Sequence, residues 1–122
     1  MKQRYPKLEI NVAHLRHNVA KIVDKCGSMG IQVAGVVKGA NGLVEVSKAF
    51  DEAGVAFIAS SRLEQLEDGK DAGIEKKMML IRIPMLSEVE DVVRIADISL
   101  NSELEVIKLL MQKQESRTNF IR

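Results

Sequence analysis

Short apolar runs alternate along this chain with stretches in which apolar residues recur every three or four positions, the first pattern suiting buried strands and the second amphipathic helices. Leu8-Glu9-Ile10 alternates like a short strand, and Asn11 is placed to cap a helix, because its side-chain oxygen can accept from the free amides of a first turn. In that helix Val12, Leu15, Val19, Ile22 and Val23 share one face, while His14, His17, Lys21, Asp24 and Lys25 fall on the other. Val33 to Lys38 reads as a strand. A helix from about Leu43 then turns Val46, Ala49, Phe50 and Ala53 inward and stops at Gly54, a residue suited to a left-handed helix end.

The alternation continues to the end. Val55 to Ser60 is a strand, and Ser61-Arg62-Leu63-Glu64 is a capping box opening a helix that stops near Gly73. Met78 to Ile83 is a strand closed by Pro84, and a second box, Ser87-Glu88-Val89-Glu90, precedes Val92, Val93 and Ala96. Asp97 to Leu100 is a short strand, and a third box, Ser102-Glu103-Leu104-Glu105, opens a helix carrying Leu104, Ile107, Leu110 and Met111. Such regular exchange of strand and helix predicts an α/β fold with a parallel sheet, since parallel neighbours need a crossover and cannot be joined by a tight hairpin. The polar stretch Gln114 to Asn119 departs from the repeat, and Phe120-Ile121-Arg122 looks like the start of a further strand. The reading is a single domain over residues 1–122, with 112–122 as a tail set apart from the repeat.

Composition narrows the function classes. The 122 residues are 46% hydrophobic with a formal net charge of +1, which suits a globular domain. With balanced charge and 3% aromatic residues there is little to neutralise phosphates or stack on bases, so nucleic acid is not an expected partner. No apolar run reaches the length of a membrane span, and the polar start is not followed by a signal-type core. The single cysteine, Cys26, cannot form an internal disulfide, which agrees with a reducing, cytoplasmic setting.

In sheets and barrels built of strand-helix units, ligands collect at the carboxyl ends of the strands. Aligning the strands there brings Lys38, Ser60 with Ser61, Arg82 and Asn101 to one mouth. Ser61 and Asn101 also serve as caps, and Arg82 also suits a carboxylate partner. Lys38 gains nothing from local structure. An amine ending an apolar run is the usual device for a Schiff base, because desolvation favours its neutral, nucleophilic form, though a strand-end lysine can also simply extend to solvent. Gly39 and Gly42 fit neither common phosphate-loop spacing. His14 and His17, three apart, project from the solvated face beside other charged residues, and no metal centre is expected.

Val36-Val37-Lys38 with the small, glycine-containing loop behind it resembles the pyridoxal-phosphate lysine motif at the start of the alanine racemase barrel, a fold-type III architecture. Leu8 to Asn11 with Leu15-Arg16-His17-Asn18 is similar to that family's opening segment. Tyr5 to Asn11, Leu80 to Met85 and Ala96 to Glu103 look closest to the ornithine racemase-like branch. The match runs from about Tyr5 to Met111.

The resemblance implies the amino-terminal half of a TIM-type (β/α)8 barrel, about four of eight strands. It implies pyridoxal 5'-phosphate as cofactor, an internal aldimine on Lys38, and Lys38 then acting as a base at the α-carbon of an amino-acid substrate, with the ring as electron sink. Arg82 and Asn101 are candidate contacts to cofactor or substrate. The proton donor for the opposite face, the phosphate loops and the group at the pyridine nitrogen are expected beyond residue 122. Gly42 stands where alanine racemases carry a tyrosine, which points away from alanine as substrate. The expected activity is interconversion of L- and D-amino acids, with a homodimer or a carboxyl-terminal half as partner. A non-catalytic cofactor-binding module and an inactive truncated fragment stay open beside it.

Overall fold

Four short strands lie side by side in the order in which the chain makes them: β1 (Ala34–Val36), β2 (Phe57–Ser60), β3 (Lys77–Leu80) and β4 (Ile98–Ser99). Every neighbouring pair is parallel. The structure, a computed structural model, describes residues 5–119. Helix α1 (Val12–Gly27) precedes the sheet, α2 (Val44–Glu52), α3 (Leu63–Asp71) and α4 (Val89–Ile95) make the crossovers, and α5 (Leu104–Asn119) follows β4. Sequential parallel order with helical crossovers of one hand places the connecting helices on a single face of the sheet.

The register shows which side chains that face receives. Ile58 lies opposite Gly35 and Met78, and Ser60 opposite Leu80. With alternation along each strand, these residues turn to the helices. Val37, Ile58, Met78 and Leu80 join Leu63 and Leu66 of α3 and Val92 and Ile95 of α4 in the buried core. The next row, Val36, Ala59, Met79 and Ile98, faces the other way. No helix covers it. Val36 is 43% exposed and Leu100 50%. The sheet is covered on one face only, the arrangement of a barrel segment whose inner face awaits the remaining strands.

Local chemistry explains where elements start and stop. Asn11 caps α1 as expected, its side-chain oxygen accepting from His14 N–H at 3.0 Å. Gly54 and Gly73 have φ of +90° and +87° and end the chain's turns after α2 and α3. At β4, two residues suffice because Asp97 binds Met78 twice: its backbone N–H donates to Met78 O at 2.8 Å, and its carboxylate accepts from Met78 N–H at 2.8 Å.

Several sequence expectations are corrected. Leu8-Glu9-Ile10 is irregular: a strand needs a neighbour for its ladder, the four-stranded sheet offers it none, and Leu8 is 76% exposed. Ile22 is 54% exposed, because Val12, Leu15, Val19 and Val23 at spacings of three and four already define the packed stripe of α1. None of the three capping boxes forms at the place read from sequence, and α5 opens at Leu104 without a hydrogen bond to the Ser102 side chain among the described residues. Arg62 is extended and its N–H is taken by Ser60 Oγ at 3.2 Å, while Glu64 turns to the Arg62 guanidinium. Around Ser87 a single 3-10 turn, Leu86–Glu88, intervenes, and the Glu88 carboxylate caps Met85 N–H at 3.1 Å. The polar stretch expected as a tail continues α5 to Asn119. Its long straight-chain residues are good helix formers, and Lys113 to Glu90 and Arg117 to the Val93 carbonyl tie it to α4. Phe120 to Arg122 lie outside the described residues.

Gly35 is where sheet and helix layer come closest, since a Cβ there would stand 2.4 Å from Cδ2 of Phe50 in α2. Gly35→Ala is expected to lower stability by about 1–3 kcal/mol, the usual cost of overpacking a filled core. Gly39→Ala, where a Cβ meets nothing within 4 Å, is the matched control and should leave the urea midpoint nearly unmoved. Equal midpoints for the two variants would contradict this account of the packing.

Candidate active site

The ladder runs one residue past three of the four assigned strands, β1, β3 and β4. Val37 N–H donates to Ala59 O at 2.9 Å, Ile81 N–H to Ser60 O at 3.0 Å and Leu100 N–H to Leu80 O at 3.1 Å. Lys38, Arg82 and Asn101 each come directly after one of these last ladder residues. All three therefore stand at the same carboxyl edge, the neighbourhood expected from the sequence. Their side chains have different fates.

Val37 is fully buried and turns out of the strand with φ −95° and ψ −8°, so the strand expected to reach Lys38 ends at Val36 and Lys38 opens a single 3-10 turn, Lys38–Ala40. The turn is closed by its own amides: Val37 O accepts from Ala40 N–H at 3.1 Å and Gly42 N–H at 3.0 Å, and Lys38 O from Asn41 N–H at 3.0 Å. Two left-handed residues finish it, Asn41 at φ +51° and Gly42 at +69°. Lys38 itself is exposed and has no ion-pair or hydrogen-bond partner for its amine among the described residues.

Arg82 is already engaged. Its Nε donates to Ser61 O at 2.9 Å, Nη1 to Ile83 O at 3.2 Å, and Nη2 to both carboxylate oxygens of Glu88 at 2.8 and 3.0 Å. The guanidinium thus ties the end of β2 to the loop after β3. The Glu88 carboxyl is held below its ordinary value chiefly by the Arg82 hydrogen bonds, helped by Met85 N–H and opposed by partial burial. Arg82 is raised by the same bonds. Asn101 is exposed and folds back, its Nδ2 donating to Ser99 O at 3.1 Å and Ser99 Oγ at 2.9 Å.

Two residues of this edge are not evident in the sequence. Glu88 reads there as part of a helix cap. Gln65 belongs to no motif, although a polar residue between Leu63 and Leu66 on the inward side of α3 is itself a signal. It is 5% exposed, accepts from Ser60 Oγ at 2.6 Å and donates from Nε2 to Asn41 Oδ1 at 3.4 Å. Ser60 is therefore a buried link, and Ser61 contributes its carbonyl to Arg82. His14 and His17 are exposed on α1, and no group of three or more His, Cys, Asp or Glu among the described residues is arranged to hold a metal.

The donor chemistry fits one end of an aldehyde cofactor. An accessible amine without a carboxylate partner, beside the uncovered apolar row of Val36 and Met79, can receive an aldehyde from the open side. Arg82, the strand-end cation that could otherwise take a phosphate, has most of its donors committed to Glu88 and two carbonyls.

A parallel half-barrel that presents a lysine just past its first strand defines a class of amine-bearing β/α-barrel domains. Residues 10–120 match the family described as alanine racemase, N-terminal domain, and the chain belongs to that family. It is 44% identical over 106 residues to an ornithine racemase from Acetoanaerobium sticklandii, covering 87% of this chain and 30% of the relative. To a lysine racemase from Thermotoga maritima it is 34% identical over 104 residues, covering 85% of this chain and 29% of that one. The crystal structure of alanine racemase from E. faecalis superposes with a TM-score of 0.70 at 20% identity over 85% of this chain and 29% of that chain, a likeness that establishes the fold. The chain thus spans under a third of the length of these proteins, and its parallel β/α pattern is that of the amino-terminal half of a TIM barrel.

The Arg82–Glu88 tie carries a pH signature. A carboxyl lowered in the folded state adds stability that is present above its unfolded value, ordinarily 4.5, and lost as the pH falls through the folded value. Glu88→Gln is expected to cost about 1 kcal/mol at neutral pH, discounted for a guanidinium that is 35% exposed, and nothing in strong acid. Urea unfolding of both proteins between pH 7 and pH 3 checks it: a deficit that stays constant on acidification would show that the charge of Glu88 is not what stabilises.

Proposed function

We propose that this chain is the lysine-bearing portion of a pyridoxal-phosphate-dependent amino-acid racemase, with Lys38 as the catalytic residue. The observation that carries the reading is the Lys38 amine, exposed and unpartnered among the described residues at the carboxyl edge of a parallel sheet, in a chain of this family. When bound, the cofactor supplies an electron sink that makes the substrate α-proton removable. Lys38 would hold the cofactor through Nζ and would serve as the base that moves the α-proton on one face of the substrate. The rigid turn behind Lys38 fixes where that amine starts. Arg82 acts through Glu88 by ordering the loop over the third strand, and Asn101 borders the mouth.

The curated relatives name ornithine and lysine, so the reading favours an amino acid with a second amine over alanine. The uncovered sheet face and the open edges of β1 and β4 call for the rest of a barrel, and a homodimer of the completed protein, as partners. No helix among the described residues is long and apolar enough to cross a membrane. A cytoplasmic setting goes with the lone thiol of Cys26.

The test joins this chain to the carboxyl-terminal portion of the ornithine racemase relative and follows exchange of the substrate α-proton with deuterated solvent. Exchange is expected with ornithine or lysine, and Lys38→Ala should reduce it by at least about 1000-fold, as removal of a residue serving both as cofactor anchor and as base does. Exchange that survives the substitution would show that Lys38 is neither the anchor nor the base.

A further inference from the structure

We propose that Gln65 is a positioning residue for Lys38, holding the turn that carries the amine through a hydrogen bond to Asn41; the inference rests on the reading of Lys38 as the reactive amine. Gln65 sits in α3, two elements away from the lysine in sequence, yet its side chain reaches the far end of the Lys38 turn. Its carbonyl oxygen accepts from the fully buried Ser60 hydroxyl at 2.6 Å, and Ser60 Oγ in turn accepts from Arg62 N–H at 3.2 Å. With Oε1 fixed by that donor, Nε2 is left to face Asn41 Oδ1 at 3.4 Å. The amide is thereby oriented by the end of β2 before it touches the turn.

Asn41 is the one non-glycine residue with positive φ among the described residues. Its backbone N–H donates to Lys38 O at 3.0 Å, so a shift of Asn41 is passed directly to the lysine. Below it lies Gly42, buried, where a Cβ would stand 2.5 Å from Cγ of Gln65. The Gln65 stem therefore fills the space over Gly42 while its amide grips Asn41. An apolar side chain of equal length would fill the same space. What it would not supply is a partner for Ser60 Oγ or a donor for Asn41, and no buried side-chain polar atom in the described residues is left without a partner. The amide rather than the volume of Gln65 is thus what links the lysine turn to the neighbouring strand.

The experiment measures borohydride trapping of pyridoxal phosphate on the purified chain, with peptide mass mapping to give the share of label on Lys38, and amide hydrogen exchange of residues 39–43 without cofactor. Gln65→Met keeps the volume and removes both hydrogen bonds. Asn41→Gly tolerates the left-handed backbone and removes the side-chain acceptor, with some added backbone freedom. Each is expected to lower the Lys38 share about tenfold, the order of effect of a small misplacement of a reacting group, and to speed exchange in the turn. The double variant should lose no more than Gln65→Met alone, because Asn41→Gly removes an interaction that this variant has already lost. Ile95→Val, a core change remote from the turn, should leave the share unaltered at reduced stability. Additive losses or an undiminished Lys38 share in Asn41→Gly would each overturn the role of Gln65. Label absent from Lys38 in the unaltered chain would instead overturn the reading of the lysine, and the inference with it.

Discussion

Parallel pairing is the constraint from which the rest of this structure follows. Two parallel strands cannot be joined at one end, so each connection has to return the full length of the sheet, and a helix is the element that satisfies its own backbone on the way. The helices then lie on one face, bury the row of Ile58, Met78 and Leu80, and leave the row of Val36, Met79 and Ile98 uncovered. All strands also end at the same edge. Chemistry placed directly after the ladder is gathered there without any further device, as Lys38, Arg82 and Asn101 are.

What distinguishes those three residues is whether neighbours use up their hydrogen-bonding capacity. Arg82 has a carboxylate and two carbonyls within 3.2 Å, which makes it a fastener between the second strand and the third loop. Asn101 closes its own turn on Ser99. Lys38 has its carbonyl held by the Asn41 N–H and, among the described residues, an unengaged side chain, the combination of fixed origin and open reach that amine chemistry on an incoming aldehyde requires.

Much of the fold is legible in the sequence because helix and strand periods differ so plainly. The crossovers, the stops at Gly54 and Gly73 and the cap at Asn11 all follow from local rules. Local rules fail where tertiary partners compete for the same groups. Ser61 and Glu64 have the spacing of a capping box, but Ser60 and the Arg62 guanidinium take the bonds instead. Leu8 to Ile10 alternates like a strand and finds no strand to pair with. Of the site, the lysine is readable from an apolar run that ends on a charge. Gln65 and Glu88 are not, because their meaning lies in partners 24 and 6 residues away that only the folded sheet brings within reach.

Gly42 and Gln65 divide one small volume between them, 2.5 Å being too short for a methyl group and a methylene to coexist. The two positions are therefore not free to vary independently over time. A side chain at 42 would have to come with a shorter residue at 65 and with another way to hold the lysine turn. Either change made alone leaves a clash or an empty space beside the lysine turn, so this small contact couples the two positions.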